Sequence, residues 1–167
     1  YEANGVNPTI ELPVGQHIIS LIVNDGIADS EPDYVVITVI DNIPPEFSLS
    51  VEPNVLWPPN HKMVKISELI SASDGCGDSV DIDIILTNIT MNEGEETNTY
   101  DPSYDYTLGD GHTLDDIQID ADGNLYLRAE RSGNGDGRVY TITYQATDAS
   151  GNTAEATATV TVPHSQP

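Results

Sequence analysis

The sequence predicts an all-β protein built as two β-sandwich modules in tandem, the first of them incomplete. Three observations carry this expectation. Apolar and β-branched residues recur in short runs with a period of two, the period of a half-buried strand, and helical spacing is confined to one turn around Ile66–Ile70. Turn signals divide the runs, among them Pro13-Val14-Gly15, Asp25-Gly26, Asp120-Ala121-Asp122-Gly123 and Asp148-Ala149-Ser150-Gly151-Asn152. Between the modules stands Pro44-Pro45, which removes two backbone donors and fixes φ, so the chain must leave one sheet and restart stiffly in the next. The resulting division is 1–41, 42–163 and a tail or linker at 164–167.

In the first module Thr9–Leu12 reads as a short strand. His17–Asn24 reads as a second, apolar at Ile19, Leu21 and Val23, and Tyr34–Ile40 as a third, rich in β-branched residues. Three strands are too few for a sandwich, which typically has about seven. Either the upstream part of the module was cut from this chain, or a strand arrives from elsewhere, including a neighbouring copy by head-to-tail strand addition. In the second module Phe47–Val51, Met63–Ile66, Val80–Met91, Asp116–Ile119 and Asn124–Glu130 are the expected strands. Arg138–Asp148 alternates with Tyr140, Ile142, Tyr144 and Ala146 on one side, and Ala154–Val162 with Ala156, Ala158, Val160 and Val162. The Asp148–Asn152 loop joins those two as a hairpin.

Charge narrows the function. The 167 residues hold 28 acids and 5 bases, a formal net charge of −23. The bases are Lys62, Lys65, Arg128, Arg131 and Arg138; the first 61 residues carry nine acids and no Lys or Arg. Such a chain offers no basic surface to nucleic acid or an anionic membrane, and no apolar run is long enough to span a bilayer. The excess carboxylate points to neutralisation by cations, with halophilic adaptation as the competing explanation. Cys76 is the only cysteine, which excludes an internal disulfide and leaves metal as the available staple. No signal peptide is visible and the chain starts at Tyr1, the pattern of a fragment or a processed product.

The junction Val39-Ile40-Asp41-Asn42-Ile43-Pro44-Pro45-Glu46-Phe47 resembles the linker between tandem cadherin repeats. That resemblance implies Ca²⁺ held between modules by hard oxygen ligands. It assigns Asp41 and Asn42 to the ion, adds Asp148 from the strand-end phrase Ala146-Thr147-Asp148, and takes Asp74 as the third contributor. The fuller cadherin motif is absent, so one ion is expected. The alternative for Asp148 is a hairpin cap bonding its own loop amides. The phrase from Leu12 to Leu21 is similar to the late strands of polycystic-kidney-disease-type and hyalin-type repeats, which implies immunoglobulin-like modules of an extracellular surface protein.

Asp120, Asp122 and Asn124 form a second candidate metal loop, which Asp115 and Asp116 would complete. They resemble the first half of an EF-hand, but Arg131 occupies the place of its final Glu. The cluster Asp74, Asp78, Asp81 and Asp83 is a further acidic group, with Asp81 and Asp83 expected on one face of a strand. Trp57, His61, Arg128 and Arg131 are candidates for a sugar-contacting pocket, against the simpler reading that the arginines pair with Glu130, Asp136 or neighbouring acids. The Trp57–Lys62 phrase together with Leu127–Arg138 resembles a domain repeated in large bacterial and archaeal surface proteins. His17, His61, His112 and His164 are isolated, and no catalytic motif occurs. The sequence therefore reads as a non-enzymatic, Ca²⁺-stabilised, secreted cell-surface module: a stalk, adhesin or filament subunit. Its expected partners are further modules, identical subunits in a homopolymer, or a surface polysaccharide. The competing function is a carbohydrate-binding module of a secreted enzyme.

Overall fold

The structure is a computed structural model and describes residues 3–75, 81–93 and 116–166. Nine strands make up its regular framework: β1 (Gly15–Leu21), β2 (Asp33–Val39), β3 (Glu46–Glu52), β4 (Met63–Ser73), β5 (Asp83–Met91), β6 (Ile117–Ile119), β7 (Leu125–Arg128), β8 (Gly137–Thr147) and β9 (Thr153–Pro163). β1 and β2 form an antiparallel pair on their own, with Gly15 opposite Val39 and Leu21 opposite Asp33. The other seven make a four-stranded sheet in the order β3-β4-β7-β6 and a three-stranded sheet in the order β5-β8-β9.

Alternation along each strand decides what lies between these two sheets. Arg138, Tyr140, Ile142 and Ala146 of β8 and Val160 and Val162 of β9 point inward. They meet Ile66 of β4, Leu125 and Leu127 of β7 and Ile117 of β6, with Leu49 and Val51 of β3 packed against them. Each such fully buried aliphatic side chain contributes roughly 1.5–3 kcal/mol. On β5, Leu86 packs against this core and Ile89 lies within it although they are three apart; a bulge between Leu86 and Asn88 restores the phase. After β3 the chain crosses to the other sheet. Leu56 N–H donates to Thr161 O (2.8 Å) and Thr161 N–H to Asn54 O (2.9 Å), which drives Leu56 into the core beside β9.

Several expectations are corrected. Thr9–Leu12 forms no strand; Pro8 and Pro13 bracket it, and it has no ladder partner among the described residues. β4 runs on to Ser73, and no helical turn forms at Ile66–Ile70, because Ile66 pairs with Leu125 on one side and Ile70 with Leu49 on the other. Asp81 and Asp83 do not share a strand face: Asp81 lies in a turn and Asp83 begins β5. Cys76, Asp78, Val80, His112 and Asp115 lie outside the described residues. No helix among the described residues is long and apolar enough to cross a membrane.

The hairpin β1–β2 differs from the rest in having no buried residue. Ile18 is 70% exposed, and Leu21, Tyr34, Val35 and Val36 are exposed as well. This contrast sets an expected outcome. Ile142→Ala opens a cavity in the sandwich core and lowers stability by about 2–5 kcal/mol, whereas Ile18→Ala stays within about 0.5 kcal/mol. Chemical denaturation followed by Trp57 fluorescence checks both.

Candidate metal centre

Strand register brings three distant acids to one end of the sandwich. β3 and β4 run antiparallel with Glu46 opposite Ser73, so Asp74, just past β4, sits beside the linker that enters β3. Asp41 belongs to that linker. Asp148 follows the last residue of β8, Thr147, which pairs with Asp83 at the beginning of β5. One carboxylate oxygen from each of Asp41, Asp74 and Asp148 lies within 4.8 Å of the others. Oxygens that share one Ca²⁺ at about 2.3–2.6 Å are at most about 5 Å apart, so a single ion fits this spacing. An all-carboxylate set is a hard-ligand set, suited to Ca²⁺, Mg²⁺ or Mn²⁺ and not to a thiolate or imidazole metal. Asn42, the next linker residue, is exposed.

Asp148 is a hairpin cap, the alternative reading of it, and its carboxylate also stands in the three-acid group. Its Oδ1 accepts from Ser150 N–H (2.9 Å) and Asn152 N–H (2.8 Å), and Oδ2 accepts from Asn152 Nδ2 (2.9 Å). Only 6% of the residue is exposed. Burial works to raise its pKa, but the donors from Asn152, Ser150 and Gly151 outweigh it and hold the carboxyl below 3.8, its ordinary value. Asn152 also joins the junction, its Nδ2 donating to the Asp41 carbonyl at 3.4 Å. In the linker itself, Asp41 Oδ1 accepts from Ile43 N–H at 3.0 Å, an Asx-type turn that orients the side chain.

The loop Asp120–Asn124 turns out to be a copy of Asp148–Asn152, a repeat the sequence displays and our reading of it missed. Both read Asp-Ala-x-Gly-Asn, and in both the Asp N–H donates to the Asn carbonyl (3.1 and 3.0 Å). Both carboxylates accept the backbone N–H groups two and four residues on, and both glycines adopt positive φ, 80° and 88°. The side chain and backbone of Asn124 hold the Asp120 carboxyl below its ordinary value. No set of three His, Cys, Asp or Glu ligands forms around Asp120 or Asp122 among the described residues, and hydrogen bonding accounts for the loop.

Of the residues expected to line a sugar pocket, two are drawn into a largely buried ion network. Arg138 is fully buried and donates from one nitrogen to Asp116 Oδ2 (2.7 Å) and to the Tyr140 hydroxyl (2.9 Å). Arg128 Nε donates to Asp116 Oδ1 (2.9 Å), and its Nη1 to the His61 carbonyl (2.9 Å). The Tyr140 hydroxyl in turn donates to the Arg128 carbonyl, and burial pushes its phenol well above the ordinary value. Glu130, fully buried, has Oε2 3.2 Å from His61 Nδ1 and 4.0 Å from Arg128 Nε. Arg131 Nη1 donates to the Ser132 carbonyl, and Trp57 is 40% exposed in the proline loop. The expected internal pairing of the arginines therefore holds for Arg128 and Arg138, with Asp116 as their chief partner, while Asp136 is exposed. The signal for Arg138 lay in plain alternation: it precedes Tyr140 and Ile142 on the inward side of β8.

Comparison with protein-family models and with curated proteins yields no match to this chain.

The depressed pKa of Asp120 fixes the sign of its pH dependence. Its folded pKa lies below the unfolded 3.8, so its contribution is present above that value and is lost as pH falls through the folded pKa. Asp120→Ala is expected to be less stable than the parent at neutral pH, with the gap closing below pH 3.8. Denaturant unfolding of the pair across pH checks this.

Proposed function

We propose that the chain is a calcium-stabilised structural module of an extracellular surface protein, serving in a stalk, adhesin or filament subunit. The observation that carries the reading is the convergence of Asp41, Asp74 and Asp148 at the junction between the β1–β2 unit and the sandwich. An ion there neutralises carboxylates that otherwise repel, and it ties the linker to two strand ends of the sandwich. Up to six oxygens from three carboxylates, completed by carbonyls or water, satisfy the 6–8 ligands that Ca²⁺ takes. The role is mechanical: the ion fixes the angle at which one unit leaves the other, and a chain of such joints becomes a rod.

The strand order supports an immunoglobulin-like sandwich. β3-β4-β7-β6 corresponds to the A-B-E-D sheet of a constant-type domain and β5-β8-β9 to its C-F-G sheet. In such a domain the linker residue before the first strand and the loop after the sixth lie at one end, as Asp41 and Asp148 do. The carbohydrate-binding alternative draws support from the exposure of Trp57 and His61, while Arg128 is committed to Asp116.

Ligand binding to the folded state raises stability by about 2.7 kcal/mol at a hundredfold excess over Kd, which moves the melting temperature by several degrees in a domain of this size, at about 2–4 °C per kcal/mol. Melts in Ca²⁺ and in chelator at matched ionic strength are expected to differ by that amount. Coincident melts would remove the proposal.

Asp41→Ala and Asp148→Ala report on the same ion from different segments. Calorimetric titration is expected to show each variant losing most of the Ca²⁺ affinity and the double variant losing little more. Additive losses would assign the two carboxylates to separate ions.

A further inference from the structure

We propose that β2 is an assembly edge, at which a second copy of this chain pairs its own β2 antiparallel about a two-fold axis through Val36. The inference stands apart from the metal centre and rests on four properties of the strand.

The first property is an unprotected edge. Among the described residues only β1 pairs with β2, so the other side of β2 has no ladder partner. Natural edge strands are blunted by Lys, Pro, bulges or short length. β2 is seven residues long, Asp33-Tyr34-Val35-Val36-Ile37-Thr38-Val39, with no Lys, Pro, Gly or bulge. β-branched and aromatic residues fill six of its seven positions, the composition of a strand that seeks another strand.

The second is backbone direction. The Tyr34 N–H donates to the Asp33 carboxylate at 3.0 Å, an acceptor outside β1, and on the proposed pairing it faces away from β1. Strand alternation then aims the N–H and carbonyl groups of Val36 and Thr38 away from β1 as well. A two-fold axis at Val36 sets Tyr34 opposite Thr38 of the second copy and Val36 opposite its own counterpart, which joins these outward groups.

The third is charge. In that register Asp33 faces Val39 of the second copy, so the two Asp33 carboxylates stand a whole strand apart. The rest of each molecule is strongly negative, and that repulsion weakens as salt shortens the screening length.

The fourth is area. Tyr34, Val35 and Val36 are 64%, 53% and 58% exposed. At roughly 60–120 Å² of apolar surface per side chain, edge pairing covers a few hundred Å² on each copy. That falls below the ~800 Å² per partner of a standard interface, so the dimer is expected to be weak and concentration-dependent. The product is one four-stranded sheet, which closes on itself.

Sedimentation of the full chain tests this from low to high micromolar protein, in about 0.15 M and about 1 M salt, where the screening length falls from ~8 to ~3 Å. The mass is expected to rise from one chain toward two, further at high salt. Val36→Lys weakens the association at least tenfold and leaves the melt of the sandwich unchanged, while Val36→Thr keeps it. In a Cys76→Ser background, Val36→Cys forms a disulfide-linked dimer and Ile18→Cys, on β1, does not. A single-chain mass at every concentration in both salts overturns the proposal, as does a dimer that survives Val36→Lys. Equal cross-linking at the two cysteine positions does so too, by assigning the contact to another surface of the hairpin.

Discussion

The pairing of Asp116 with Arg138 and Arg128 governs both the interior and the exterior of this molecule. Two guanidinium groups share one buried carboxylate, and Tyr140 and the Arg128 backbone extend the set. Removing one member of such a group strands a charge in low dielectric at a cost of about 3–5 kcal/mol. The network therefore fixes β6, β7 and β8 relative to one another, which apolar packing alone does not do as strictly. It also withdraws two of the five bases from the surface. Because Asp116 and Glu130 are buried with them, the net charge left outside is unchanged, but only Lys62, Lys65 and Arg131 remain there beside the other acids.

That depletion explains why the junction reads as a cation site and not as an ion-paired corner. Asp41, Asp74 and Asp148 meet within reach of one ion, and the 61 residues up to His61 contain no Lys or Arg. In a chain with ordinary composition an arginine would fill such a place. Among the described residues Asn152 supplies amide donors to Asp148 and to the Asp41 carbonyl. The three carboxylates form a group that could hold a divalent cation.

The strands were legible where alternation was strong and uninterrupted. β8 and β9 follow from the Tyr140-x-Ile142 and Val160-x-Val162 patterns to within a residue. β4 was read too short because Lys65, Ser67 and Glu68 dilute its apolar pattern, and only its two ladders, to β3 and β7, make its length necessary. The meeting of Asp41, Asp74 and Asp148 was anticipated through a resemblance of short phrases, with Asp74 added for its distance along the chain after the linker; the register of β3 against β4 is what brings it about in space. Asp116 as the hub of the arginines was not legible, since nothing local marks that acid as different from Asp115 or Asp120.

The twin loops put a physical limit on such reading. Asp120-Ala121-Asp122-Gly123-Asn124 and Asp148-Ala149-Ser150-Gly151-Asn152 fold alike, cap alike and depress their first carboxyl alike, because all of that is written within five residues. They differ in what the fold sets beside them. Asp120 stands at the exposed turn between β6 and β7, with Tyr126 as its nearest further partner. Asp148 ends β8, at the rim where β4 finishes and the linker enters, so two more carboxylates arrive within reach of one ion. A motif of this kind fixes the geometry of a ligand; topology decides whether it has an ion to bind.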